Sequence, residues 1–232
     1  MNWHTFDFPE FSVRGLDDSP NKLKFIKMPE DLTGMSVLDI GAWDGYFSFI
    51  AEKRGAKVFA FDSPKYSWNK EFIIVSGEKV EQNGKAVFLE AREKLNSKVI
   101  DIEGELDNLT EIEVPMSDEI PRPGYANLTH KIKFDLVLCL GILYHVKDPY
   151  KLIRDLYEIT GKKLILETHI DVGLNQAPFP AMRFYPNGEI NNDEGTFWGP
   201  NMMCVYDMLI KAGFKNIEAD YSNGRGCFHA EK

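Results

Sequence analysis

Residues 37–47 read VLDIGAWDGYF, and this stretch decides the fold. Its apolar first part favours a strand that is covered on both faces. Gly41 and Gly45 let the chain turn sharply and let the backbone approach a ligand. Apolar residues then recur at helical spacing up to Gly55, which suits a helix end. A strand, a glycine turn and a helix in this order predict an open α/β sheet that binds a nucleotide-like ligand at the turn.

Composition limits the class of protein and its partners. The 232 residues are 44% hydrophobic and 27% charged, which is typical of one globular α/β domain with its own core. The formal net charge of -9 argues against a large surface for nucleic-acid phosphates, so nucleic acid is not an expected partner. Cys139, Cys204 and Cys227 lie far apart without metal-binding spacing, so no metal is expected. No apolar run approaches the roughly 20 residues that span a membrane and no leader pattern is present, so we expect a cytoplasmic protein.

Alternating strand and helix patterns predict a mostly parallel sheet with helices on both faces. Strands are predicted at residues 37–40, 57–61, 134–140 and 163–168. A final hairpin, at residues 214–219 and 226–230, is expected to add an antiparallel edge. Helices are predicted at residues 47–54, 149–160 and 201–212, and over most of residues 66–97 with breaks near 76–77 and 83–84.

Three segments have weaker patterns. Residues 1–34 are aromatic and proline-containing, and we expect them to be a lead-in that packs on a domain formed by residues 35–232. Residues 98–133 fit a helical stripe at first and a short strand near 110–114. Residues 170–200 hold too many Pro, Gly and Asn residues for regular structure, and a loop this long in a compact domain predicts a lid-like insertion.

The acidic residues around the first turn indicate the class of ligand. The turn lacks both the Gly-x-Gly-x-x-Gly pattern of dinucleotide sites and the Gly-Lys-Ser/Thr of phosphate-binding loops. Asp62 follows the second strand about 20 residues after Gly41, where an acid accepts hydrogen bonds from two ribose hydroxyls. Asp39 precedes the turn and is expected to face a cationic part of the ligand. Two carboxylates would repel a pyrophosphate but suit a sulfonium and an ammonium.

These motifs resemble a known family. Asp-x-Gly-x-x-x-Gly after the first strand, with Asp62 after the second, resembles motif I and the ribose acid of class I S-adenosylmethionine-dependent methyltransferases. Residues 134–145, FDLVLCLGILYH, and residues 164–169, LILETH, resemble the branch that includes the carboxymethylating enzyme of the tRNA wobble uridine. The similarity runs from about residue 3 to residue 230 and is weakest over 98–133. It implies a Rossmann-like seven-stranded fold and S-adenosylmethionine as cofactor.

The resemblance also implies a set of cofactor-binding residues. Trp43 departs from the pattern, because many class I enzymes have a glycine there, so its indole should point into the protein or form a wall of the pocket. His4 either folds over the cofactor or belongs to a disordered terminus. The predicted cofactor residues are Asp39, Gly41, Ala42, Trp43, Gly45, Asp62, Ser63, Leu140, Gly141 and His4.

The candidate catalytic residues follow two strand ends. Tyr144 and His145 come just after one strand, where they either handle a proton of the acceptor or merely hold the loop. Glu167 and His169 share one face of another strand by period-two geometry. The carboxylate is expected to raise the basicity of this imidazole. We expect His145 or His169 to be the base and Tyr144 to orient the acceptor.

The substrate-binding candidates lie later in the chain. Arg183, Tyr185 and Trp198 belong to the lid-like insertion and are expected to close over an acceptor and exclude water. Arg225 matches an arginine that, in the tRNA-modifying branch, helps to hold the added carboxylate of the cofactor. Here it is expected to bind an anionic acceptor instead.

The expected function is methyl transfer from S-adenosylmethionine to an oxygen, or a nitrogen, of a small-molecule or sugar acceptor. The alternative is a tRNA wobble-uridine carboxymethyltransferase that uses carboxy-S-adenosylmethionine. Against it we count the lack of a substantial N-terminal extension, the negative charge, and the lack of a counterpart, around residues 3–8, to the lysine that grips the added carboxylate in that branch. A non-catalytic cofactor-binding protein is the remaining alternative.

Overall fold

The computed structural model describes residues 2–67, 71–75, 78–114, 130–131, 133–190 and 192–232. The helices in these ranges are α1 (Ser19–Ile26), α2 (Tyr46–Lys53), α3 (Pro64–Ser67), α4 (Gly84–Lys94), α5 (Pro149–Ile159) and α6 (Met202–Ala212), with 3-10 turns at Leu106–Glu111, Leu143–His145 and Leu174–Gln176. The strands are β1 (Asn2–His4), β2 (Phe6–Asp7), β3 (Ser12–Val13), β4 (Gly15–Asp17), β5 (Ser36–Ile40), β6 (Lys57–Asp62), β7 (Glu71–Val75), β8 (Glu78–Gln82), β9 (Ile100–Glu103), β10 (Glu113–Val114), β11 (His130–Lys131), β12 (Phe134–Leu140), β13 (Thr160–His169), β14 (Met182–Phe184), β15 (Trp198–Pro200), β16 (Lys215–Ser222) and β17 (Arg225–Glu231).

A seven-stranded sheet organises the molecule. Its strand order is β16-β17-β13-β12-β5-β6-β9. The strands from β13 to β9 in this order are parallel to one another. Strand β17 is antiparallel to both β13 and β16. The predicted mostly parallel sheet with an antiparallel C-terminal edge is therefore confirmed. The order reverses at β5 and β12, so the carboxyl ends of these strands flank the crevice in which ligands of open α/β sheets bind.

Helices cover both faces of this sheet. Along β5, Val37 packs with α1, α2 and α4, whereas Leu38 and Ile40 pack with α5 on the other face. Each strand contributes apolar side chains to both layers because successive side chains point to opposite faces. A sheet buried in this way explains the nearly continuous apolar runs of its central strands.

Two segments differ from the sequence prediction. The predicted helix over residues 66–97 is interrupted, because α3 ends at Ser67 and α4 begins only after an antiparallel hairpin of β7 and β8. The run EFIIV at residues 71–75 is rich in β-branched residues, which favour strands over helices. The predicted helical stripe near residue 100 is also wrong, because β9 pairs with β6 there. Residues 115–129, which belong to the segment with a weak sequence pattern at 98–133, lie outside the described part of the chain.

The N-terminal segment and the insertion are both folded against the domain. Phe6, Phe11, Ile26 and Leu32 are buried in the layer that also holds α2. Within residues 170–200 the expectation of no regular structure is wrong, because β14 and β15 form an antiparallel pair with Phe184 opposite Trp198. Cross-strand aromatic pairing of this kind stabilises a short ladder. In the described ranges, no helix has the length and apolar character required to cross a membrane.

Candidate cofactor and acceptor site

The turn after β5 joins three strand ends. Gly41 has a φ of +68°, and a Cβ there would overlap the side chain of Ile142, so only glycine fits. The backbone N–H groups of Gly41 and Ala42 donate to the carbonyl of Phe61, at 2.8 and 3.2 Å. The turn is therefore fixed to β6 and to the loop after β12.

Gly45 and Trp43 serve packing against α4. Gly45 has a φ of +81°, and a Cβ there would overlap Phe88 of α4 rather than face a ligand. Trp43 has a φ of +54°, and its indole lies against Gly84, where an added Cβ would be 2.5 Å from the ring. The indole thus packs on the first residue of α4, in agreement with an orientation into the protein.

Asp62 lies at the carboxyl end of β6, where the sequence predicts ribose recognition. Its Oδ2 accepts a hydrogen bond from the backbone N–H of Trp43, and its Oδ1 accepts one from Ser63, both at 2.7 Å. Burial raises the pKa of Asp62 to about 6, against the lowering effect of these two bonds. A carboxylate has about four acceptor positions, so both oxygens can still accept ribose hydroxyls. The Ser63 hydroxyl donates to Glu105 at 2.8 Å.

Asp39 is enclosed against α2, contrary to the expectation that it faces the ligand directly. It is 3% exposed, and its Oδ2 accepts a hydrogen bond from the Ser48 hydroxyl at 2.6 Å. Burial raises the pKa of Asp39 to about 7, so the carboxyl is partly protonated at neutral pH. A cation bound in the crevice would favour its ionised form.

His4 is anchored to the same turn. Its Nδ1 lies 2.5 Å from Oδ1 of Asp44, and its backbone N–H donates to Oδ2 at 3.1 Å. The imidazole is buried and stacks on Tyr46, with 5.8 Å between the ring centroids. The alternative of a disordered terminus is therefore wrong for His4. A direct contact with the cofactor stays a prediction.

His145 is held as a neutral imidazole with a defined tautomer. Its Nδ1 lies 2.8 Å from the carbonyl oxygen of Gly195, and because a carbonyl only accepts, Nδ1 carries the proton. Nε2 then has a free lone pair. Burial lowers the pKa of His145, which keeps the ring neutral at physiological pH. The neighbouring ring of Tyr144 lies 4.1 Å away between centroids.

Gly141 brings Tyr144 and Arg225 to the carboxyl end of β12. It follows the buried Leu140, has a φ of +78°, and its N–H donates to the carbonyl of Glu167 at 2.8 Å. A Cβ at Gly141 would lie 3.5 Å from the Tyr144 hydroxyl and 3.8 Å from Nη2 of Arg225. The Arg225 guanidinium lies 5.1 Å from the centroid of the Tyr144 ring. These two polar groups therefore lie near the backbone of Gly141, one of the predicted cofactor residues.

Glu167 pairs with Arg225 rather than with His169. Its two oxygens accept hydrogen bonds from Nε and Nη2 of Arg225, at 2.5 and 2.8 Å. Lys22 of α1 adds a second cation, with Nζ 4.0 Å from Oε2. Burial opposes ionisation of Glu167, but the guanidinium outweighs it and the pKa is lowered. A catalytic role for Glu167 as a proton acceptor is not supported by this geometry.

The expected increase in the basicity of His169 is wrong. Burial and the charge of Arg225 lower the pKa of His169, although Asp171 and Glu167 act in the opposite direction. Its Nε2 lies 3.4 Å from the Tyr185 hydroxyl, which itself donates to Asp171 at 2.7 Å. Since the only phenol proton goes to Asp171, Nε2–H of His169 must be the donor, and Nδ1 carries the lone pair.

The insertion is tied to the loop that carries Tyr144 and His145. The backbone N–H of Phe197 donates to the carbonyl of Tyr144 at 2.9 Å, and the indole N–H of Trp198 donates to Val146 at 3.1 Å. Arg183 is half-exposed, with Nε 3.2 Å from Oδ2 of Asp171. Tyr185 is buried, so it supports the site rather than offering an open contact surface.

Two residues of this site were missed in the sequence. Lys22 lies in the segment interpreted as a lead-in, and its approach to Glu167 depends on the tertiary fold. Asp171 follows His169 by two residues, and that spacing on a strand end could have indicated a shared face. Within the described ranges, no group of three or more His, Cys, Asp or Glu side chains is arranged to hold a metal ion.

Comparisons with known proteins identify the family of the chain. The family model described as "Methyltransferase domain" matches residues 16–188. The chain belongs to this methyltransferase family. The predicted class of enzyme, an S-adenosylmethionine-dependent methyltransferase of class I fold, is confirmed at the level of the family. Asp62 fits its cofactor, because its carboxylate at the carboxyl end of β6 has acceptor positions left for ribose hydroxyls.

Individual relatives cover the fold and part of longer proteins. A tRNA U34 carboxymethyltransferase of Nautilia profundicola is 25% identical over 200 residues, which are 85% of this chain and 53% of the relative. This chain thus spans about half the length of that relative. The N-terminal domain of EvdMO1, crystallised in the presence of SAH and D-fucose, has a TM-score of 0.61 at 14% identity, with 99% of this chain and 89% of that one covered. Magnesium protoporphyrin IX methyltransferase of Synechocystis with bound SAM has a TM-score of 0.53 at 14% identity, with 92% and 77% covered.

Proposed function

We propose that the chain transfers a methyl group from S-adenosylmethionine to a hydroxyl oxygen of a small-molecule or sugar acceptor. When bound, the cofactor supplies a methyl carbon that is already activated by its sulfonium. The protein must align the acceptor and remove its proton. The orientation of His145 carries the proposal, because Gly195 binds Nδ1 and leaves the lone pair of Nε2 for the acceptor.

The insertion supports an acceptor of limited size. It contacts the loop at Tyr144, His145 and Val146 through three hydrogen bonds, so it forms one wall of the crevice. A wall of this kind excludes water from the transferred methyl group. The formal net charge of -9 disfavours a long phosphate chain as acceptor. The EvdMO1 domain, which has a similar fold, was crystallised in the presence of D-fucose, and this guides the choice of test compounds.

The proposal is tested by replacing His145. The assay measures formation of S-adenosylhomocysteine with a panel of free and nucleotide-linked hexoses. We expect His145→Ala to lower kcat roughly 100- to 10,000-fold on the accepted sugar, because a general base is lost. The Kd for S-adenosylhomocysteine should barely change, since His145 acts on the acceptor. An unchanged kcat would contradict the role of His145, and His169→Ala is the parallel variant that tests the other imidazole.

A second candidate is carboxymethyl transfer, which one observation favours. Lys22 and Arg225 place two cations around the single carboxylate of Glu167, and Tyr144 adds a hydroxyl beside Gly141. An added carboxylate on the transferred group would meet this surplus positive charge. Lys22 is also a candidate counterpart to the lysine that grips the added carboxylate in the tRNA-modifying branch, for which none was found around residues 3–8. The net charge of the chain remains the argument against a tRNA acceptor.

Replacement of Lys22 distinguishes methyl transfer from carboxymethyl transfer. If the chain uses the carboxylated donor, Lys22→Met should weaken its binding by about tenfold or more while S-adenosylmethionine binding stays nearly constant. Lys24→Met on the same helix is the control, because Lys24 is exposed and bonds to Asn21. Equal effects of Lys22→Met on both donors would contradict carboxymethyl transfer, and the absence of a tRNA gel shift would exclude a tRNA acceptor.

A further inference from the structure

A buried lysine lies beside the ribose acid, and nothing in the proposed reaction uses it. Lys85, in the first turn of α4, has a side chain that is only 4% exposed. Its Nζ lies 2.5 Å from Oδ1 of Asp101 and 3.3 Å from Oε1 of Glu103. The ammonium also lies 5.4 Å from the centroid of the Phe88 ring. A lysine is rarely buried this completely without a specific partner.

The sheet places three carboxylates on the face that Lys85 covers. Strand β9 pairs with β6 so that Asp101 lies opposite Ala60 and Glu103 lies opposite Asp62. Residues two apart on a strand share a face, and paired residues of parallel strands lie roughly 4.8 Å apart. Asp62, Asp101 and Glu103 therefore share one face at the carboxyl end of the sheet. Without a cation, these like charges would oppose one another.

We infer that Lys85 is a positioning residue for cofactor binding, which holds Asp101 and Glu103 and keeps Asp62 ionised to receive the ribose hydroxyls. The neighbouring Trp43 strengthens this assignment, because its N–H binds Asp62 while its indole packs on Gly84, directly before Lys85. The start of α4 thus contacts, at Gly84, the residue whose N–H binds Asp62, and the charge of the next residue, Lys85, acts on Asp62. This inference rests on the proposed ribose site at Asp62.

The charges around Asp62 predict that cofactor affinity depends on pH. The described groups are Asp39 on β5, Asp101 and Glu103 on β9, Glu105 after β9, and Lys85 on α4. The pKa of Asp62 is raised to about 6, because burial and the charge of Asp101 outweigh the lowering effects of the hydrogen bonds from Trp43 and Ser63 and of the charge of Lys85. Ionised Asp62 accepts both ribose hydroxyls, so cofactor affinity should fall as the pH falls through about 6. Loss of Lys85 should move this fall to higher pH.

The test measures the Kd of S-adenosylhomocysteine by calorimetry between pH 5.5 and 8.5. Lys85→Met should raise the midpoint of the pH profile by about one unit, which weakens binding about twofold at pH 7 and nearly tenfold at pH 5.5. Lys85→Arg should largely restore both values, because it keeps the charge. Lys94→Met on the same helix, which removes the exposed pair with Glu90, should leave both unchanged.

A second variant keeps the inference falsifiable if Lys85→Met does not fold. Asp101→Asn removes a like charge and should move the midpoint to lower pH, opposite to Lys85→Met. A folded Lys85→Met with the wild-type Kd and profile, or Asp101→Asn without a shift, would overturn the role of Lys85. Asp62→Asn distinguishes the underlying site: if it binds S-adenosylhomocysteine as the wild type does, the ribose site itself is wrong.

Discussion

At the scale of single residues, the Glu167–Arg225 pair sets the charge of the crevice. Glu167 is buried and accepts two hydrogen bonds from the guanidinium. A buried carboxylate in this position is stable only with its cation, since breaking a buried pair leaves an uncompensated charge. The pair also contributes to the low basicity of His169, because burial and the charge of Arg225 lower the pKa of His169 although Glu167 raises it.

Replacing Arg225 should destabilise the fold in a pH-dependent way. Arg225→Met should cost about 3–5 kcal/mol of unfolding free energy at neutral pH. In the wild type, the lowered pKa of Glu167 contributes stability above the pKa of the unfolded state, and this is lost as the pH falls through the folded pKa. In the variant, burial raises the pKa of Glu167 with Lys22 as the main remaining opposing charge, so the cost of the substitution should shrink towards pH 5. Urea unfolding at pH 7.5 and 5 measures both values.

The control for this variant is Lys27→Met, which removes an exposed ion pair with Asp220. It should cost no more than about 1 kcal/mol. If Arg225→Met cost the same at both pH values, the buried pair would not be the source of its effect.

The sequence predicted which residues meet at the site better than it predicted their partners. Period-two geometry correctly placed Glu167 and His169 at one strand end. Their charges, however, are set by Arg225 on the adjacent strand and by Lys22 on α1, which are remote in sequence. Such contacts depend on strand order and helix packing, and no local spacing contains them.

At the scale of elements, the glycine turn and α4 form one packed unit. Gly45 lies against Phe88, and Trp43 lies against Gly84, so the start of α4 covers the turn. Glycine at residue 45 was expected to let the backbone approach a ligand, but helix packing is what requires it.

A pair of glycine variants tests this packing. Gly45 and Gly34 both have positive φ, but only at Gly45 would a Cβ overlap neighbours, whereas Gly34 faces open space. Both Gly→Ala changes should cost about 1–2 kcal/mol for the left-handed backbone. Gly45→Ala should cost about 1–3 kcal/mol more, because the core would be overpacked. Urea unfolding of the two variants gives the difference, and equal costs would contradict the packing role.

Whether a segment forms a strand or a helix was predictable where burial imposed one clear pattern of apolar residues, and it was not predictable elsewhere. Strands β5, β12 and β13 were found because their apolar runs are buried on both faces. Strand β9 was missed because Ile100 and Ile102 alternate with Asp101 and Glu103 over only four residues. A pattern this short fits a strand and a helical stripe equally well.

At the scale of the whole molecule, three parts of the chain meet at one edge of the sheet. The N-terminal segment contributes His4 and Lys22, the central strands contribute Asp62 and Gly141, and the last strand contributes Arg225. The insertion adds the carbonyl of Gly195 that orients His145. A methyltransferase site assembled from such distant segments requires the complete sheet. Ligand binding at this site should therefore be lost when the fold is lost.

Ligand-linked stability tests the central claim, that this crevice binds S-adenosylmethionine and its product through Asp62. Unfolding of the wild type and of Asp62→Asn is followed with and without S-adenosylhomocysteine. At 100 times its Kd the ligand should raise the unfolding free energy of the wild type by about 2.7 kcal/mol, with a much smaller gain for Asp62→Asn. No stabilisation of the wild type by either S-adenosylhomocysteine or S-adenosylmethionine would contradict the account.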